Sequence, residues 1–168
     1  MLYGYVQWLE EAKGLSPMHA GMMMLPQFIV GIFSAQLMGP RLNIRTKLYI
    51  GTIGALITMI GFQMISSDTS IFYLIFLSAI FGLPQGLLNL ANQNALYHQT
   101  PKSMIGMSSG LLRTAGYLGA IVSSTLIGIL FKGSDLTTAV HELGFAATII
   151  AIVILLLTMT GGKNLSEK

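Results

Sequence analysis

Apolar residues in this chain fall into long blocks of about 20, the length an α-helix needs to cross bilayer hydrocarbon. Five blocks stand out, at 18–38, 47–66, 71–93, 104–131 and 141–160. The breaks carry turn chemistry or charge. Ser16-Pro17 reads as an N-cap followed by a first-turn proline. Gly39-Pro40-Arg41, Ser66-Ser67-Asp68, Thr100-Pro101-Lys102 and Lys132-Gly133-Ser134-Asp135 separate the later blocks, and Gly161-Gly162 closes the last one ahead of a short tail over 161–168. The run Met1 to Leu9 is apolar and aromatic, but about nine residues cannot span a membrane. It reads as the outer end of a preceding helix, with Tyr3, Tyr5 and Trp8 at the aromatic belt, an amphipathic surface segment being the alternative.

Composition turns these blocks into a class. Of 168 residues, 53% are hydrophobic and 9% charged, with mean hydropathy +0.71. A soluble domain carries about 25% charged residues, so too few charges remain to coat a water-exposed surface. The expectation is an all-α integral membrane protein. The net charge of +3 comes from basic residues scattered singly, which does not make a nucleic-acid patch. With no cysteine, disulfides and thiolate metal sites are excluded.

The charges instead set an orientation. Arg41, Arg45, Lys47, Lys102, Lys163 and Lys168 fall on one side, whereas Lys13 and Lys132 share the other with Glu10, Glu11, Asp68, Asp135 and Glu142. Basic loops stay in the cytoplasm. The 39–47 loop, the 98–103 loop and the C-terminus are therefore expected inside a plasma-membrane protein.

The blocks differ in what they can face. The second and fifth are almost wholly apolar and suit lipid all round. The fourth carries Gly106, Gly110, Ala115, Gly119 and Ser123 at near four-residue spacing, a stripe that lets a helix backbone approach closely. Packing within this chain explains the stripe most simply, and a helix from elsewhere would use the same surface. Arg113 lies about ten residues into that block. A charge in hydrocarbon costs at least ~2.5–3.5 kcal/mol, so it either snorkels to the interface or pairs with amides or a solute.

The third block holds five amides within twelve residues, Leu83 to Asn94. At 100° per residue, Gln85, Asn89 and Asn92 fall within about 60° of one another, one stripe. Pro84 removes a backbone donor beside them. Counting ~1.5 Å per residue from Ile71, Gln85 and Asn89 lie about 21 and 27 Å down, while Asn92, Gln93 and Asn94 reach the edge of the hydrocarbon. Unsatisfied amides in lipid cost several kcal/mol each. The stripe therefore faces either another helix, as interhelical glue, or an aqueous cavity that holds solute.

Apart from Glu142 at the very start of the fifth, no block contains Asp or Glu, and His19, His98 and His141 all fall at block ends. Proton-coupled transporters place a protonatable carboxylate in the membrane, so a proton drive would come from outside this chain. Phosphate loops, zinc-protease motifs and nucleophile elbows are missing as well. Nothing here argues for an enzyme, a cofactor or a metal.

The arrangement resembles the C-terminal part of a major facilitator superfamily transporter, most closely the fourteen-helix drug:proton antiporters. Gln7, Lys13 to Pro17, Ala20-Gly21 and Leu25-Pro26 resemble a loop and helix of that family. Gly39 to Arg45 resembles its basic loop, and Gly82-Leu83-Pro84-Gln85-Gly86, Thr100-Pro101 and Gly106 to Gly119 resemble its last glycine-rich helix pair. The 100–120 pattern departs at Gly116, where relatives carry an arginine, with Arg113 one turn earlier.

The resemblance implies five transmembrane helices plus the remnant of a preceding one, most of a six-helix half built from two three-helix units. It puts the first and fourth spans against a missing N-terminal half, the third on a central cavity, and the second and fifth in lipid. Gln85, Asn89, Asn92 and Arg113 become cavity candidates. Pro26, Pro84, Gly106, Gly110 and Gly119 become helix-interface and gating candidates. The implied function is proton-coupled efflux of drugs or amphipathic solutes by alternating access, with proton coupling in the missing half and a small amphipathic solute as cargo. A small membrane scaffold or regulatory subunit, or one half of a split transporter, are the rival readings.

Overall fold

A computed structural model of the chain describes residues 2–133 and 135–161. The expected tail lies, apart from Gly161, outside the described residues, as does Ser134. Among the described residues, seven α-helices run α1 Leu2–Glu11, α2 Pro17–Met22, α3 Leu25–Phe33, α4 Ile44–Gln63, α5 Ile71–Gln99, α6 Ile105–Gly133 and α7 Leu136–Gly161. Among the described residues, four segments are long and apolar enough to cross a membrane: Pro17–Arg41, Ile71–Gln99, Lys102–Lys132 and Leu136–Met159. The second expected block forms a helix too, as α4, but it begins at Ile44. Arg45 and Lys47 therefore fall inside its first turns and shorten its apolar length.

Local chemistry explains most boundaries. Ser16 caps α2 by accepting from the His19 amide, Ser70 caps α5 through the Phe72 amide, and the Asp135 carboxylate accepts from the Thr137 amide at the start of α7. Each satisfies a donor that the helix start leaves orphaned. Gly14 turns the chain between α1 and α2 at φ +63°, where a side chain would be strained. The first block is broken rather than continuous. Pro26 cannot donate to the Met22 carbonyl, and the chain turns at Met23 and Met24 before α3. Farther along, a π-helical turn over Ser34–Met38 passes into a 3₁₀ turn over Gly39–Arg41. Pro40 would push against the carbonyl four residues back in a regular α-helix, and the widened turn avoids that clash. α5 runs six residues beyond its apolar block because no breaker occurs before Thr100-Pro101.

The helices pack in the order α3, α5, α4, α7. Two corrections follow for the expected lipid exposure. α4 does not face lipid all round: Gly51, Gly54 and Gly61 receive Leu88, Pro84 with Leu83, and Leu77 of α5, and its other inward positions meet α7, where Gln63 Nε2 donates to Thr148 Oγ1 at 3.1 Å. Tyr5 and Trp8 do not sit at a lipid interface. They are 3% and 0% exposed, in a core with Met23, Met24, Phe62 and Leu74, and of the three aromatics only Tyr3, 67% exposed, remains outside. The Tyr5 ring meets Phe62 edge-on at 4.9 Å, and its hydroxyl donates to the Leu74 carbonyl at 3.1 Å.

This core lies at the Lys13 end of the bundle. Lys13 Nζ donates to the Ser67 and Thr69 carbonyls at 2.6 Å each, clamping the α4–α5 loop. His141 Nε2 lies 2.7 Å from the Ile65 carbonyl oxygen, tying α7 to the end of α4.

Candidate functional site

The tightest helix contact in the chain lies between α3 and α5, and it is made of glycine. A Cβ at Gly82 would run into the Gln27 carbonyl, and one at Gly86 into the Gly31 carbonyl and the Ser34 hydroxyl. The two backbones thus touch directly, which any larger residue would prevent. Ser34 Oγ donates to the Gly31 carbonyl at 2.9 Å and reaches the Leu83 carbonyl at 3.4 Å. It thereby links the helices one residue before Pro84, itself fully buried in a helix that continues through it.

Beside this crossing lies a cleft of about 280 Å³, walled by Gln27 and Phe28 of α3 and by Gln85, Asn89 and Gln93 of α5. Gln27 is 1% exposed, and its Nε2 donates to Gln85 Oε1 at 2.6 Å. That bond satisfies two amides which would otherwise be costly at this depth. Asn89 and Gln93 are exposed and make no hydrogen bond to another described residue. One amide pair is therefore glue, and the two amides below it are free to meet water or solute.

Helical geometry decides which α5 amides share the cleft. Measured from Gln85, Gly82 and Gly86 point about 60° and 100° round the helix. α3 is therefore centred near 80°, where Gln93 also points, with Asn89 at about 40°. Asn92 points about 20° the other way, is exposed and does not line the cleft.

Arg113 of α6 lines a separate recess of about 120 Å³ with Tyr97, Ser109, Leu112 and Gln93. Gln93 belongs to both hollows. The guanidinium has no hydrogen bond or ion pair among the described residues, so the pairing with α5 amides envisaged from sequence is not made here. Pro26 stands half-buried at the break between α2 and α3, beside an apolar recess of about 220 Å³ that also touches His19 and Ile75.

The glycine stripe of α6 corrects the simplest sequence reading. Gly106, Gly110, Gly116 and Gly119 have no heavy atom within 4 Å of where a Cβ would stand, and every residue from Gly110 to Leu126 is exposed. The stripe is not packed against any described residue of this chain. α6 is pinned near Ile127, which is buried beside Gly4.

Two residues that matter here escape the sequence pattern. Gln27 is a single amide in an apolar block, immediately after Pro26, and an isolated polar residue in a predicted span was the available signal. Gln93 falls by residue count at the edge of the hydrocarbon, where an amide carries little signal.

Comparison with known proteins agrees with the fold. Residues 1–124 match the family model described as Major Facilitator Superfamily. The chain is 32% identical over 158 residues to the uncharacterized MFS-type transporter YwoD of Bacillus subtilis, covering 90% of this chain and 34% of that protein. It is 25% identical over 130 residues to the riboflavin transporter RibZ of Clostridioides difficile, covering 76% of this chain and 28% of that protein. The chain thus spans about a third of the length of these curated relatives. No solved structure gives a significant match.

Proposed function

This chain belongs to the major facilitator superfamily, and we propose that it forms most of the C-terminal half of a secondary transporter that moves an amphipathic solute by alternating access. The observation that supports the reading is the α3–α5 cleft: Gln85, Asn89 and Gln93 line one hollow beside a close glycine crossing of the two helices. Membership in a transporter superfamily argues against an enzyme.

In this reading the bare glycine face of α6, with Gly106, Gly110 and Gly119, receives the N-terminal half, and Pro26 and Pro84 mark where α3 and α5 flex. A carboxylate in that other half binds the driving proton, since the described spans of this chain contain none until Glu142 in the second turn of α7. The basic Arg41–Lys47 end faces the cytoplasm of a plasma-membrane protein, and the C-terminus lies on the same side. The cargo is a drug-like amphipath leaving the cell. A second reading of the cargo is a heteroaromatic nutrient, favoured by the likeness to a protein named as a riboflavin transporter.

Reconstitution in liposomes with a pH gradient tests the proposal. The chain alone should move no dye, and the chain with its complementing N-terminal half should. Proton-driven dye movement by this chain alone would overturn the assignment of the proton site to the other half.

A further inference from the structure

We infer that this half of the transporter selects uncharged planar solutes with hydrogen-bonding edges and disfavours lipophilic cations, an inference that rests on the cleft being the solute site. The first observation is the chemistry of the lining. Gln27, Gln85, Asn89 and Gln93 supply four primary amides, Phe28 supplies an aromatic surface, and no ionisable side chain lines the cleft. A primary amide offers two N–H donors and a carbonyl acceptor, so adjacent amides complement a flat edge that alternates donor and acceptor.

The second observation is which amides are free. Gln27 and Gln85 occupy each other, whereas Asn89 and Gln93, one turn apart on α5, have no partner among the described residues. A ring edge laid along α5 would meet both, with its face available to Phe28.

The third observation is a fixed charge on the adjoining recess. Arg113 and Gln93 line one recess, and a positive charge there repels a second one. A cation entering here would give up its hydration without gaining a carboxylate. An uncharged imide or lactam loses less water and gains matched hydrogen bonds. The solutes admitted would therefore be neutral heteroaromatic or amide-bearing rings, or such rings carrying an anionic group directed toward Arg113.

The test is a fluorescence titration of the complete transporter, this chain with its N-terminal half, in detergent. The uncharged probe is 4-amino-1,8-naphthalimide, whose imide N–H sits between two carbonyls, and the cationic probe is ethidium. The naphthalimide should bind at least about tenfold more tightly than ethidium. Asn89→Leu should weaken it about tenfold or more, because a site that hydrogen-bonds its solute discriminates strongly once a partner is lost, and should weaken ethidium less. Asn89→Asp, which adds the missing carboxylate, should shift the preference toward ethidium by about tenfold. Asn89 is exposed and unbonded, so these variants should fold, as unchanged Trp8 emission would document. Tighter binding of ethidium to the unaltered protein would overturn the inference, and so would naphthalimide affinity indifferent to Asn89→Leu. Dye flux in liposomes that persists alongside either result would leave the transport reading intact. Loss of all dye flux from the complete transporter would overturn the transport reading instead.

Discussion

Gly82 is the position where the α3–α5 pair is most easily forced apart. In Gly82→Ala the new Cβ meets the Gln27 carbonyl oxygen, with the Gln27 carbonyl carbon and the Gly31 amide nitrogen each at 3.0 Å. All three are backbone atoms, so no rotamer change relieves the contact and the helices must separate. Overpacking of this kind costs ~1–3 kcal/mol. Separation also weakens the 2.6 Å bond between Gln27 and Gln85, and interhelical hydrogen bonds in membranes contribute about 0.6 kcal/mol on average. Alanine returns up to ~1 kcal/mol of helix propensity. The net expectation is a loss of about 1–3 kcal/mol, roughly a 5- to 150-fold fall in the folded-to-unfolded ratio. The internal control is Gly119→Ala, which has open space at its Cβ position and should be neutral or stabilise this chain by up to ~1 kcal/mol. Unfolding in mixed micelles by SDS titration, read by the single Trp8, measures both. A Gly82→Ala variant as stable as the parent would refute the close backbone approach. So would a Gly119→Ala variant that proves the more damaging of the two in this chain.

Three further outcomes are expected. Gln27→Leu should cost about 1–2 kcal/mol by orphaning Gln85, and Gln27→Leu with Gln85→Leu should restore part of the loss; strict additivity in that cycle would show that the two amides do not pair. Trp8→Ala should destabilise by ~3–5 kcal/mol, the cost of emptying a buried aromatic site, whereas Tyr3→Ala should change little; equal effects in a thermal melt would contradict the burial of Trp8 alone. Because the chain has no cysteine, Asn43→Cys and Ser67→Cys report orientation directly. A membrane-impermeant maleimide added to intact cells should label the cysteine at position 67 and spare that at 43, and the reverse pattern would invert the proposed topology.

The comparison of α4 with α6 shows where legibility ended. Both helices carry spaced glycines, and only α6 drew notice, since its stripe is regular and interrupted by serines. In the fold it is Gly51, Gly54 and Gly61 of α4 that take the α5 side chains, while the Cβ positions of Gly106, Gly110, Gly116 and Gly119 meet no other helix among the described residues. A glycine pattern records that a backbone can be approached, not which partner arrives. The amides behaved likewise. Periodicity placed Gln85 and Asn89 on one face, but the centre of that face was set by where α3 crosses, which brought Gln93 in and left Asn92 out. Gln27 could be paired with Gln85 only once two segments 58 residues apart were seen side by side.

The sequence by itself determined that this is a helical membrane protein. Charges and unpaired backbone groups are so costly in hydrocarbon that blocks of apolar residues can be read almost as lengths. It also determined most breaks, because proline, glycine and capping side chains act on neighbours a few residues away. Tertiary structure alone decided which polar groups satisfy one another, that Tyr5 and Trp8 are core, and that one whole face of α6 is left for something else. In a membrane every helix exterior is apolar, so hydrophobicity no longer separates the inside from the outside, and only the meeting of particular surfaces does.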